Sequence, residues 1–508
     1  MESRTKKSFK NAIFSMVGYA LTILCSFVTR TVFIHMLSTE YLGVNGLFTN
    51  ILNMLSLAEL GIGSAIIYRL YKPILEKNEK KICELMNFYK KAYYVIALVV
   101  AGLGLILLPF LHYLIKEQPR IPDSLSVIYL LYLANSVISY LFIFKKSLIV
   151  GYQKEYLTSV ITYGGTIALA AGQILVLLLT GNFLLYLAVQ IAVTLATNVV
   201  NSMICDKLFP FQKNCRERLP KEEAKSIFKD LSALVIYKIS GVVVTSTDNI
   251  IISKFIGLSS VGLFSNYTLI VNAVYALIKK GIESMTASIG NLNASGNVKE
   301  QERIYYAVNF MAFWIYGQIA VCLFVLINPF ITLWLGKHYL LPLPVVVFIA
   351  LNFYLQGITG IFAIFRNTFG LFTQGKYRPV FSAMVNLGAS LFLVAKVGMA
   401  GVLMGTAISY ISTFLWYDPY VVHKHVFQES TRKFYMRQAE YFLVVLAGAA
   451  LSFLITNRIG IANPIANWVA DAGITFFVMN ALVLICFSRT PEFKRLLQNA
   501  GLLLRRKG

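Results

Sequence analysis

Fourteen times along this 508-residue chain, an apolar run of about 20 residues recurs between short polar breaks. An α-helix rises about 1.5 Å per residue, so each run is long enough to cross the roughly 30 Å hydrocarbon core of a bilayer. The runs lie near 11–35, 45–68, 92–115, 124–144, 158–180, 183–205, 231–256, 260–278, 304–328, 343–365, 379–396, 400–422, 439–456 and 466–487. Continuous apolarity predicts helices, which satisfy their own backbone groups in lipid, whereas a β-barrel would show alternating segments of about ten residues. The chain is 57% apolar and 14% charged, with a mean hydropathy of +0.68, which excludes a soluble domain of this size. The expected fold class is an all-α integral membrane protein. Its first run follows the basic start MESRTKKSFKN, is too long for a cleaved signal, and reads as a retained helix. The weakest boundary separates 379–396 from 400–422, where only KVGMAG intervenes.

The net charge of +23 takes its meaning from where the cations lie. With the N-terminus inside, 38 of the 46 Lys and Arg fall in breaks on one side, and five (Lys116, Arg120, Lys337, Lys396, Arg458) on the other. This is the positive-inside pattern; it explains the basicity without a nucleic-acid partner and predicts that both termini are cytoplasmic. The outward breaks are short, leaving no room for an external catalytic domain, and no phosphate-cradling glycine motif is present, so no enzyme is expected. The six cysteines show no paired spacing, and neither disulfides, a metal cage nor a cofactor is expected. His423 and His425, in HKH, read as a solvated membrane-surface cluster rather than a metal site. The tail TPEFKRLLQNAGLLLRRKG reads as an ordinary inside anchor, with an amphipathic helix on an anionic leaflet as the alternative.

The longest inner break, DKLFPFQKNCRERLPKEEAKSIFKD, follows the sixth run. On either side of it GLFTN (46–50) and GLFSN (262–266) open even-numbered runs 216 residues apart. The expected organisation is an N-lobe at 1–205, a connector at 206–230, a C-lobe at 231–423, and two further helices with a basic tail at 424–508. Parallel repeats of this kind are the architecture of many alternating-access transporters, which bind substrate between the lobes.

Positions at i, i+3, i+7 and i+10 share one helix face. Polar stripes of this spacing run through Thr22, Ser26 and Arg30; through Asn53 and Glu59; through Lys238, Thr245 and Asp248, bordered by Asn249; past Asn272; and through Asn352, Gln356 and Arg366. A charge at the bilayer centre costs about 2.5–3.5 kcal/mol to insert and must face a partner or a wet cavity. Counting along the helices puts Arg30 and Asp248 in one outer layer, and Glu59 and Lys238 in one inner layer. Each couple is a candidate pair joining the lobes. In one reading the pairs are gates, and an anionic substrate competes for Arg30 and Lys238; in the other they are static braces. Taken singly, Ser, Thr and Asn read as bonds between neighbouring helices. Lys254 lies near an outer end, where its stem can snorkel, and takes no role.

The run TRTVFIHMLSTEYLGVNGLFTNILNMLSLAELGIGSAIIYRLYKP, with TSTDNIIISKFIGLSSVGLFSNY, NTFGLFTQGKYRP and MAGVLMGTAIS, resembles the Wzx-type polysaccharide flippases of the multidrug/oligosaccharidyl-lipid/polysaccharide (MOP) exporter superfamily. The resemblance spans nearly the whole chain. It implies two six-helix lobes plus two helices in the bacterial cytoplasmic (inner) membrane. It also implies transfer of undecaprenyl-pyrophosphate-linked oligosaccharide, a lipid-linked oligosaccharide substrate, from the inner to the outer leaflet. The product would be O-antigen of lipopolysaccharide, capsule or exopolysaccharide, and a polysaccharide polymerase and chain-length proteins are the partners it implies besides membrane lipids. The family's cationic cavity carries over onto Arg30, Lys238 and Arg366. Gating, or coupling to a proton or sodium gradient or to the membrane potential, falls on Asp248 and Glu59. Thr22, Ser26, Asn53, Thr245, Asn249, Asn272, Asn352 and Gln356 would line the cavity. The rivals are a drug/cation antiporter of the same superfamily, which would want a carboxylate-rich cavity, and a membrane polysaccharide polymerase, which would show a large outer loop.

Overall fold

A computed structural model describes residues 4–56, 62–215, 217–225, 227, 246–294, 297–371, 374–375 and 377–505. All regular structure among these residues is helical, and twelve helical segments are long and apolar enough to cross a membrane. The other two expected runs, 45–68 and 231–256, include residues outside the described set. Leu98, Leu179, Phe477 and Ile485 are each more than 70% exposed on outer helix faces. Such surface is costly in water and is what hydrocarbon solvates.

The chain divides into two compact units, Met1–Gly262 and Leu263–Gly508. The first contains α1 (Arg4–Met36), α2 (Thr39–Leu55), α3 (Ile62–Leu75), α4 (Glu79–Leu107), α5 (Leu125–Ser139), α6 (Ile143–Gly151), α7 (Glu155–Thr180), α8 (Phe183–Leu208), α9 (246–255) and the first turn of α10 (Leu258–Ala294). The apolar run at 124–144 is not one helix: Phe142 takes a left-handed conformation (φ 65°) and separates α5 from α6. The break turns Lys145 toward α8, where its Nζ donates to both carboxylate oxygens of Asp206 at 2.7 Å and to Ser202 Oγ at 2.8 Å. Near the start of the two helices that carry GLFTN and GLFSN, a Cβ on Gly43 would strike the Leu258 carbonyl, and one on Gly262 would strike that of Thr39. Only glycine permits that approach of α2 to α10.

In the second unit, α11 (Val298–Trp334) packs against α12 (Leu343–Thr368), α16 (Arg432–Thr456) and α17 (Pro464–Phe487). Phe313 stacks on Tyr441 of α16 at 4.3 Å, and Trp314 Nε1 donates to Asn480 Oδ1 of α17, whose amide donates in turn to Gln318 Oε1, both at 3.0 Å. The break expected at 279–303 is mostly helix. α10 and α11 each run for 37 residues, which at 1.5 Å per residue is about 55 Å, well beyond the hydrocarbon core. Falling apolarity there marks exit from lipid, not the end of a helix; α11 starts only where Asn297 Oδ1 caps the Glu300 N–H at 3.2 Å. The tail also differs from a plain anchor. α18 (Pro491–Arg505) buries Phe493 beside Trp314, and its Arg495 pairs with Glu300.

The hairpin at the weakest boundary is well defined. α13 (Arg378–Val397) turns at Gly398, φ +62°, into α14 (Met399–Ser409). Ser382, Asn386 and Ser390 recur every four residues on α13 and meet Ser409, Thr406 and the Val402 carbonyl at 2.6, 2.9 and 3.0 Å. Without a hydrophobic drive between helices in lipid, such small and polar faces hold them together. Gly401 and Gly405 bring the backbones close, since a Cβ on either would run into Leu393 or Ser390. Gly401→Ala should therefore lower stability by about 1–3 kcal/mol through overpacking, whereas Gly388→Ala, which faces open space, should leave it unchanged or slightly raised. Thermal unfolding of the two variants in detergent checks the contrast.

Two expectations from spacing are corrected. Cys83 and Cys215 are bonded as a disulfide across 132 residues of sequence, a pairing that only tertiary packing creates. Of the HKH pair only His425 is exposed. His423 is fully buried within a cage of Tyr305, Tyr306, Phe427 and Phe434, because the helix that carries it turns that face into the unit.

Candidate functional site

The stripe on α1 closes on itself up to its last member. Thr22 Oγ1 donates to the Gly18 carbonyl at 2.9 Å and Ser26 Oγ to the Thr22 carbonyl at 2.8 Å, the back-bonding that hydroxyls adopt inside a helix. Arg30, one turn further on, is half-buried and lies within electrostatic reach of Tyr132 on α5 and Tyr186 on α8. Tyr132 Oη donates to Asn45 Oδ1 of α2 at 2.5 Å, and the Tyr186 ring meets Phe33 of α1 edge-on at 5.4 Å. Contacts among α1, α2, α5 and α8 thus position the two phenols. The planar fork of donors on Arg30, within electrostatic reach of two phenols, matches the oxygens of a phosphate or carboxylate, which a Lys ammonium in the same place would hold only as a point charge.

Asp248 and Asn249 stand on α9 in the same unit. Asp248 is buried, as are its neighbours Ser246 and Thr247, while Asn249 is half-buried. Arg30 and Asp248 are each engaged by other groups, so neither is a free charge. Glu59, Lys238 and Thr245 lie outside the described residues. Asn53 and, in the second unit, Asn272 are exposed.

In the second unit Asn352 Nδ2 donates to the Leu403 carbonyl at 2.9 Å and so ties α12 to α14, with Gln356 half-buried one turn along. Arg366 is 3% exposed. Its Nη1 lies 3.3 Å from Asp418 Oδ1 and its Nη2 donates to Asn367 Oδ1 at 3.1 Å. Asp418 sits on α15 (Leu415–Val422), between π-helical turns at Tyr410–Phe414 and His423–Phe427. It also pairs with Arg378, whose guanidinium lies 4.3 Å from the Phe414 ring. Arg366 is thereby held in a buried ion cluster, and contact with an anionic ligand would require displacing Asp418.

Asp418, Arg378, Tyr132 and Tyr186 went unmarked in the sequence reading. A carboxylate four residues from the end of an apolar run was itself a signal. The tyrosines carried none, because 29 are spread along the chain and one in an apolar run reads as packing or an interfacial anchor.

No protein-family profile matches the chain, and no curated protein matches it in sequence. Solved structures do match its fold. The lipid II flippase MurJ, inward closed, aligns with a TM-score of 0.64 at 13% identity, covering 94% of this chain and 99% of that one. The chain has a MATE/MurJ-like fold. An inward-facing MATE family multidrug resistance transporter of the MOP superfamily aligns with a TM-score of 0.61 at 16% identity, over 80% of this chain and 97% of that one. A MOP superfamily transporter from Pyrococcus furiosus, described as having a binding pocket of reversed polarity, aligns with a TM-score of 0.54 at 14% identity, over 82% and 96%. These neighbours are described as transporters or a flippase, and none as an enzyme.

Proposed function

We propose that this chain is a flippase for lipid-linked oligosaccharide. It would carry undecaprenyl-pyrophosphate-linked repeat units of O-antigen, capsule or exopolysaccharide from the inner to the outer leaflet by alternating access. The observation that carries the reading is the half-buried Arg30 with its two phenols. A pyrophosphate cannot shed its water in a low-dielectric site without such a partner. The reach of the fold adds support, since the alignment with the flippase covers 94% of the chain against 80% for the MATE transporter. A drug/cation antiporter is the second reading, favoured by the MATE alignment. A site for cations would want a carboxylate where α1 carries Arg30.

The test is leaflet exchange of fluorescent polyprenyl-pyrophosphate oligosaccharide in proteoliposomes. Acceleration over empty liposomes supports the flippase; no acceleration with or without an ion gradient, together with gradient-driven uptake of organic cations, favours the antiporter. Asp248 is the described carboxylate assigned to coupling. Asp248→Asn should abolish the response of exchange to an imposed proton or sodium gradient, and a variant that responds like the wild type at every pH excludes that role.

A further inference from the structure

The connector leaves α8 through a short 3₁₀ turn, Pro210–Asn214, and reaches Cys215. α4 begins close by, its N-terminus capped by Asn78, whose Oδ1 accepts the Lys81 N–H at 3.0 Å. Cys83, in the second turn of α4, is buried; Cys215 is half-buried. Their Cα atoms are 5.3 Å apart, within the span of an ordinary disulfide. Non-covalent contacts hold the same register. Asn87, one turn beyond Cys83, donates from Nδ2 to the carbonyls of Cys215 and Glu217 at 3.1 and 3.0 Å. Lys81 Nζ meets Glu84 at 2.9 Å on its own helix and pairs with Glu223 of the connector.

This arrangement sits on the lysine-rich side of the sequence. The breaks 69–91 and 206–230 carry seven Lys and Arg each, and the positive-inside pattern assigns them to the cytoplasm. Cytosolic thiol pools keep an ordinary cysteine pair reduced. A pair that amide and ion contacts hold in bonding position stays ready to close when the pool turns oxidising, because closure is intramolecular and orders little further chain.

We propose that Cys83 and Cys215 are a thiol–disulfide modification site that clamps the connector onto α4 under disulfide stress. The oxidant is a low-molecular-weight disulfide. The more open Cys215, as thiolate, attacks one of its sulfurs, forming a mixed disulfide and expelling one small thiolate. Cys83, as thiolate, then attacks the Cys215 Sγ and expels the second. The two protons lost by the cysteines end on the two small thiols, so two protein thiols and one small disulfide become one protein disulfide and two small thiols. The closed clamp ties down the segment leading from α8 toward α9. Slower transport is its functional consequence, and that consequence alone rests on the flippase reading.

The test uses the full chain in detergent, treated with oxidised glutathione or with dithiothreitol, denatured, alkylated, and digested with trypsin without reduction. Oxidised protein should yield peptide 82–90 joined to peptide 214–216, reduced protein both peptides alkylated, and Cys25, Cys205, Cys322 and Cys486 should be alkylated in both. In the native protein, oxidation should slow tryptic cleavage at Lys221 and Lys225 about tenfold, and Cys83→Ser should abolish the slowing. The proposal is overturned if glutathione remains on Cys215 without the joined peptides, if dithiothreitol fails to open the bond, or if cleavage is unchanged. Stoichiometric zinc retained by the reduced protein also overturns it: ligand atoms of Cys83, Cys215 and Glu217 lie within 4.8 Å of one another, and the trio would then be a metal site. In proteoliposomes, oxidation should slow exchange several-fold in the wild type and not in Cys83→Ser. A joined peptide with unchanged exchange leaves the modification standing and refutes its link to transport.

Discussion

Asp418→Ala should lower the thermal unfolding midpoint of the detergent-solubilised protein by roughly 6–20 °C. Asp418 is fully buried and receives both Arg366 and Arg378, themselves 3% and 7% exposed. Removing one partner of a buried pair costs about 3–5 kcal/mol, because the remaining charge stays buried and loses its counter-ion. In a unit of this size each kcal/mol moves the midpoint by about 2–4 °C. Asp418→Asn keeps the shape and some hydrogen bonding, so its loss should be smaller. Replacing the whole cluster, with Asp418→Leu, Arg366→Met and Arg378→Met together, should recover much of the midpoint, since a desolvated ion cluster and a packed apolar one are often close in stability. An unchanged midpoint in Asp418→Ala would show that the carboxylate does not hold these guanidiniums.

Arg30→Gln should slow leaflet exchange of the pyrophosphate-linked substrate about 30- to 150-fold with little effect on the unfolding midpoint. A hydrogen bond to a charged group contributes about 1.5–3 kcal/mol, and at 1.4 kcal/mol per decade a loss of 2–3 kcal/mol gives that range. Arg30→Lys keeps the charge but not the fork and should fall between the two. The competing account makes Arg30 a brace for Asp248. Arg30→Asp combined with Asp248→Arg separates them: a double variant that both folds and transports would mean the residues only hold each other, and the substrate role of Arg30 would fail.

The membrane fold was legible because its signal is one-dimensional. An apolar run long enough to span lipid leaves the backbone one means of satisfying itself, and the helix is that means. The turn between α13 and α14 was legible for a similar reason, since KVGMAG contains the glycine that a φ of +62° favours. Helix ends in water were not. α10 and α11 run on past the point where apolarity stops, because hydropathy records the solvent and not the hydrogen-bonding pattern.

The site was half legible. Arg30 and Asp248 stood out because a charge in an apolar run is costly wherever the run folds. What surrounds Arg30 was invisible: Tyr132 and Tyr186 lie more than 100 residues away in the chain and come within electrostatic reach of it only through tertiary packing, in which Tyr186 of α8 meets Phe33 of α1 and α5 packs against α8. The same distinction separates Arg366 as a candidate ligand-binder from Arg366 as one member of an ion cluster with Asp418 and Arg378.

By itself, then, the order of residues marked the apolar segments, twelve of which are membrane-length helices among the described residues, and showed which of them carry a charge, since both follow from the cost of placing a group in hydrocarbon. Which charges meet each other, which meet tyrosines, and that Cys83 lies against Cys215 were decided only by tertiary packing, because those contacts join residues tens to more than a hundred positions apart through helix faces whose rotation no local pattern specifies.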